Sequence, residues 1–78
     1  MQLNQTETKL KLKDVYLNIV WGNISRHYFG KSSSWFYNKM NGRDGNGGEG
    51  NFNESEILKL KEALFDFSER IRKCADAL

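Results

Sequence analysis

Hydrophobic and polar positions alternate most regularly near the C-terminal end of the chain. There Ile57, Leu60, Leu64, Phe67, Ile71, Cys74 and Leu78 recur at spacings of 3, 4, 3, 4, 3 and 4 residues. This is a heptad seam over three repeats, widened by Leu58, Phe65 and Ala75, and it predicts a long amphipathic helix. Its start is signalled by Asn53-Glu54-Ser55-Glu56: Asn53 can cap, and Glu56 can reach back to complete a capping box. Phe52 is placed for a hydrophobic staple onto Ile57 or Leu58. About 24 residues of helix measure roughly 36 Å, more than the other helices of so small a chain can cover. Two outcomes stay open: the end of the helix packs on another chain, or the whole seam folds back on the first helix of a monomer.

The first half of the chain predicts three shorter helices. Leu12, Val15, Tyr16 and Ile19 fall at i, i+3, i+4 and i+7, which gives a first helix over about Thr8 to Val20. Trp21-Gly22-Asn23 breaks the pattern, with Gly22 as a stop and Asn23 as the cap of a second helix from Ile24 to Phe29. Gly30 ends that helix. Ser32-Ser33-Ser34 supplies a cap for a third, which runs to Met40 or Asn41 and stops at Gly42. Helices this short need tertiary packing to exist in water.

The chain contains no proline, and residues 43–51, RDGNGGEGN, hold four of its seven glycines and no apolar side chain. A flexible loop or a short hairpin at Asn46-Gly47 is predicted. Gly45, Gly47 and Gly50 formally satisfy a dinucleotide-binding pattern. That motif needs a preceding strand in a βαβ unit, and here a helix precedes it. Asp44 and Asn46 begin like a calcium loop, but Gly48, Glu49 and Ser55 stand where a ligand, a glycine and a bidentate glutamate are required.

At 78 residues the chain has room for one domain and only a few kcal/mol of net stability. One cysteine and one histidine exclude an internal disulfide and a structural zinc site. No apolar run reaches the length of a membrane span, and the N-terminal residues lack the apolar stretch of a signal peptide, so a cytoplasmic protein is expected. The net charge of +2 is unevenly spread. Residues 1–45 carry seven bases and three acids, +4, whereas residues 46–78 carry five bases and seven acids, −2, and no acid stands between Val15 and Arg43. A polyanion is attracted to the first half.

The third helix sharpens that expectation. On a helical wheel Trp35, Phe36 and Met40 share one arc, while Ser34, Tyr37, Asn38 and Asn41 form a stripe of hydroxyls and amides on the other side. Asparagine can bond adenine in a bidentate fashion, and serine and tyrosine hydroxyls bond phosphates or base edges. A DNA-contact set follows: Ser33, Ser34, Tyr37, Asn38 and Asn41 toward the groove, with Arg26, Lys31, Lys39 and Arg43 as phosphate partners. A polar stripe is also what any solvated helix face shows, and only the missing carboxylates favour the DNA reading. His27 is most simply a surface or rim residue. Cys74, on the seam, reads as a small buried hydrophobe, since no base is placed to activate it. Phe29, Trp35 and Phe36 are expected in the core; Tyr28 and Tyr37 stay open, with stacking of single-stranded bases as a further possibility.

Asn23 to Gly42 resembles the helix-turn-helix of the phage repressor and Cro class. The marks are Gly30 ending one helix, Ser32 and Ser33 opening the next, Phe36 six positions after the glycine, and the Asn41-Gly42 ending. The resemblance implies that the second of these helices reads DNA through Ser33, Ser34, Tyr37 and Asn38. Arg26, Lys31 and Lys39 depart from the family's small, apolar and buried residues, so the angle between the helices can differ. YFGKSSSWFYNKMNG, with the Asn-Gly loop and ALFDFSERI, also resembles a family of short uncharacterised proteins of gut Bacteroidetes and their mobile elements. That family is a domain of unknown function, and the resemblance implies a fold and no activity.

The expected protein is therefore one all-α domain over residues 1–78. It has four helices, the second and third forming a helix-turn-helix, with residues 1–7 disordered and 43–52 a flexible loop. Its expected function is binding of double-stranded DNA, without catalysis, cofactor or metal, as a dimer through Leu64, Phe67, Ile71, Cys74 and Leu78. The alternative is a protein-interaction adaptor that docks a partner through the same seam.

Overall fold

A computed structural model describes residues 6–43 and 50–78. The predicted Asn46-Gly47 hairpin and residues 1–5 of the segment 1–7 expected to be disordered lie outside the described residues, while Thr6 and Glu7 form the start of the first helix. The fold is all-α: α1 (Glu7–Lys11), a 3₁₀ turn (Tyr16–Asn18), α2 (Trp21–Ile24) running directly into a π-helical stretch (Ser25–Phe29), α3 (Ser33–Met40) and α4 (Glu54–Asp76). No strand is present among the described residues.

α4 forms as the pattern dictates. Asn53 accepts from the Glu56 amide at 2.8 Å, and the Glu56 carboxylate accepts from the Asn53 amide at 2.8 Å, completing the capping box. α3 likewise starts at Ser32, whose hydroxyl accepts from the Trp35 amide at 3.1 Å. It ends at Asn41, followed by Gly42 at φ +77°.

The first helix is shorter than its periodicity predicts. Thr6 caps α1 and donates its hydroxyl to the Met40 carbonyl at 2.9 Å, so order begins before the expected Thr8. The helix ends at Lys11 because the following run, Val15-Tyr16-Leu17-Asn18-Ile19-Val20, is rich in β-branched and aromatic residues of low helix propensity. The Trp21 indole donates to the Tyr16 carbonyl at 2.8 Å, and the Tyr16 and Trp21 rings stack with centroids 5.8 Å apart. These contacts turn the segment back onto the domain instead of letting it propagate as helix.

The second helix begins three residues earlier than predicted and takes in Trp21, Gly22 and Asn23. Gly22 is an approach point and not a stop: a β-carbon there would lie 2.8 Å from that of Ser33, so α2 and α3 meet where only hydrogen fits. Gly30, at φ +65°, ends the π-helical stretch as expected.

The core comprises Trp21, Ile24, Phe36, Met40, Phe52, Leu60 and Ala63, with Leu12, Tyr16, Ile19, Phe29, Trp35, Leu64 and Phe67 packed around it. Phe36 is its centre, with ring centroids 5.7 Å from Trp21, 5.7 Å from Phe29 and 5.1 Å from Phe52. Of the aromatics assigned to the core, Phe36 is fully buried, while Phe29 and Trp35 are half-buried at its edge.

The heptad seam divides. Leu60 is buried and Ile57, Leu64 and Phe67 are half-buried, but Ile71 is 51% exposed and Cys74 is exposed. The domain covers about two heptads and leaves the rest bare. Burial of Cys74 is thereby corrected: the α4 residues that pack on the core end at Phe67, and Cys74 lies about two turns beyond it. Phe36→Ala is expected to cost about 3–5 kcal/mol, enough to unfold most of so small a domain, whereas Phe65→Ala, 71% exposed, stays within about 0.5 kcal/mol; urea titration followed by circular dichroism distinguishes them. Gly22→Ala is expected to destabilise through the 2.8 Å approach of Ser33, and Gly30→Ala through its left-handed φ of +65° although nothing lies within 4 Å of it; the same titration measures both losses.

Candidate functional site

The nine residues from Trp21 to Phe29, a three-residue turn (Gly30-Lys31-Ser32) and the eight residues of α3 form a helix-turn-helix. A fully buried hydroxyl sets the turn. Ser25 Oγ lies 2.8 Å from the Ser32 carbonyl and 3.1 Å from the Lys31 carbonyl and shares its proton between them. The Lys31 amide returns a bond to the Ser25 carbonyl at 3.3 Å. The π-helical widening brings Ser25 opposite the turn, so the path of the chain from one helix to the next is held at three points.

The outward side of α3 is carboxylate-free, and its residues divide by commitment. Ser34 is exposed and Tyr37 is 36% exposed; Ser33 and Asn38 are half-buried. Asn41 accepts from Lys9 Nζ at 2.9 Å, so α1 occupies the C-terminal end of the stripe. Lys9 also lies 5.1 Å from the centre of the Tyr16 ring. Burial pushes the Tyr16 hydroxyl above its usual range, with Tyr37 adding to the effect.

The cations divide in the same way. Arg26 donates to the Asn23 side chain at 2.6 Å and, among the described residues, has no ion-pair partner near the start of α3. Lys31 is exposed, its ammonium 5.8 Å from the centre of the Trp35 ring. Arg43 is exposed. Lys39, by contrast, is three-quarters buried between Glu56, at 3.3 Å, and the Asn51 carbonyl, at 3.2 Å. That ion pair ties α3 to the start of α4 and accounts for a lysine on the inner side of α3. The Gly50 amide donates to the Gly42 carbonyl at 3.1 Å, so residues 42 and 50 are joined at the base of the glycine-rich segment.

One cation near α2 has no sequence signal. Arg70 of α4 donates to the Tyr28 hydroxyl at 2.9 Å, and that hydroxyl donates to Asp66 at 2.6 Å. This relay places Arg70 beside Arg26 and His27 along an open groove of about 570 Å³. A separation of 42 residues between Tyr28 and Arg70 leaves no mark that periodicity detects.

Residues 8–78 match a family model described as a domain of unknown function, DUF5053. No curated protein and no solved structure matches the chain. No helix among the described residues is long and apolar enough to cross a membrane.

Ser25→Ala is expected to lower stability by about 1–3 kcal/mol, because two carbonyls at a buried turn lose their donor. Ser34→Ala, on the exposed side of α3, is expected to change stability by less than about 0.5 kcal/mol. Thermal melts of the two variants test the difference.

Proposed function

We infer that this protein, which belongs to the DUF5053 family, is a small non-enzymatic DNA-binding protein of helix-turn-helix type. The observation that carries this reading is the acid-free surface of the two-helix unit. No carboxylate stands between Val15 and Arg43, and Arg26 and Lys31, without an ion-pair partner among the described residues, flank the exposed hydroxyls of Ser34 and Tyr37. The resemblance to the repressor and Cro class agrees with it, and a cytoplasmic location and an origin in Bacteroidetes mobile elements are part of the same proposal.

In this reading the first two turns of α3 enter the major groove. Ser33, Ser34, Tyr37 and Asn38 face base edges or phosphates, while Arg26, Lys31 and Arg43 contact the flanking backbone. Asn41 and Lys39 contribute less, because Lys9 and Glu56 hold them in the free protein. Lys9, bonded to Asn41, adds a cation at that edge of the contact surface.

A second reading has its own support: the bare end of the seam at Ile71 and Cys74 favours docking through α4. The docked partner is either a second copy, through Leu64, Phe67, Ile71, Cys74 and Leu78, or another protein.

Titration against mixed duplex DNA tests the first reading. Affinity is expected to fall steeply as salt rises, and Lys31→Ala to weaken binding on all sequences alike while reducing the salt slope by about 1. Asn38→Ala is expected to cost about 1–3 kcal/mol on a preferred sequence and little on others. Absence of binding at low salt, or binding indifferent to salt, removes the DNA reading.

A further inference from the structure

The groove between the α2 segment and α4 is built unlike the exposed side of α3, and no residue of α3 lines it. Its floor is apolar: Ile24 is buried, Ile19 and Phe67 are half-buried, and Val20 is 64% exposed. Arg26, His27 and Arg70 border it, together with the amides of Asn18 and Asn23. Among the described residues no carboxylate lines it. Its volume of about 570 Å³ falls in the range of small-molecule sites, which combine an apolar lining with a few polar groups that fix orientation.

The guanidiniums at the rim are held in place and only partly used. Arg70 donates to the Tyr28 hydroxyl at 2.9 Å while that hydroxyl donates to Asp66 at 2.6 Å, and Arg26 donates to Asn23 at 2.6 Å. Each guanidinium keeps the rest of a planar fork whose geometry matches a carboxylate. Asp66 enters the charge balance although it lies behind Tyr28. Arg26 and Arg70 contribute +2 and Asp66 −1, which leaves +1 before His27 is counted. Glu69, next to Arg70 in sequence, is held by Arg72 at 2.7 Å. A monoanion matches this balance, and a doubly charged phosphate monoester exceeds it.

We propose that the groove binds a small organic carboxylate with an apolar body. The carboxylate accepts from Arg70 and Arg26, and the body lies on Ile19, Val20 and Phe67. Because the Tyr28 relay fixes Arg70 before the ligand arrives, less side-chain freedom is lost on binding. A nucleic-acid phosphate would leave the apolar floor unused. The site shares Arg26 with the proposed DNA surface, and it stands whether or not the chain binds DNA.

The test titrates the full chain, without DNA, with naphthoate and with its cationic counterpart naphthylmethylamine, and follows amide chemical shifts by NMR. Naphthoate is expected to shift the amides of Val20, Arg26 and Arg70 with a dissociation constant of about 1 mM or below, and naphthylmethylamine to bind at least about tenfold more weakly. Arg70→Gln and Arg26→Gln are each expected to weaken naphthoate about tenfold. Val20→Asp sets a carboxylate in the floor at the exposed N-cap of α2, where aspartate suits the helix; it is expected to abolish binding with the fold intact by circular dichroism. Lys59→Gln, at an exposed position near the start of α4, is expected to leave binding unchanged. Equal affinity for the two compounds, or a naphthoate affinity that neither arginine substitution lowers, overturns the carboxylate site. Absence of shifts up to about 10 mM naphthoate, or shifts centred on Ile71 and Cys74 instead, overturns the assignment of the groove.

Discussion

The fold depends on the packing of four aromatic rings around one residue. Phe36 is wholly excluded from solvent, and Trp21, Phe29, Trp35 and Phe52 place their rings within 5.1–6.3 Å of its own. These residues come from α2, its π-helical continuation, α3 and the entry to α4. Helices of four, five and eight residues do not persist alone in water, and here their persistence is a property of the cluster. A domain of this size has few fully buried side chains, so large rings do most of the burying and their loss has no substitute nearby.

The arrangement of α3 follows from two further constraints. Gly22 and Ser33 bring α2 and α3 into close approach, and the buried Ser25 hydroxyl binds the carbonyls of the turn between them. The close approach falls at Gly22, one turn before Arg26. Arg26 is then free to lie along the outside, where its charge borders both α3 and the groove toward α4.

Charge in this protein is sorted by structure more than by composition. Lys39 and Lys9 are drawn into internal bonds that tie α3 to α4 and to α1, and Arg72 is neutralised by two acids on its own helix. Among the described residues Arg26 and Lys31 form no ion pair, and Arg70 meets Asp66 only through the Tyr28 hydroxyl. An exposed cation beside hydroxyls and an exposed cation beside apolar side chains invite different ligands. α3 presents the first combination and the end of α4 the second.

The sequence by itself determined the helical class, the capping box of α4, both ends of α3 and the length of the seam. Each of these rests on interactions between residues a few positions apart, such as Asn53 with Glu56 or Ser32 with Trp35. Tertiary structure alone decided the early end of α1, where Trp21 pulls on the Tyr16 carbonyl, and the use of Gly22 as a contact point instead of a stop. It also decided how far the seam is covered and that Arg70 joins Arg26. Those outcomes depend on which distant surfaces meet, and a helical period is the same whether the face it marks is buried by the domain or left bare.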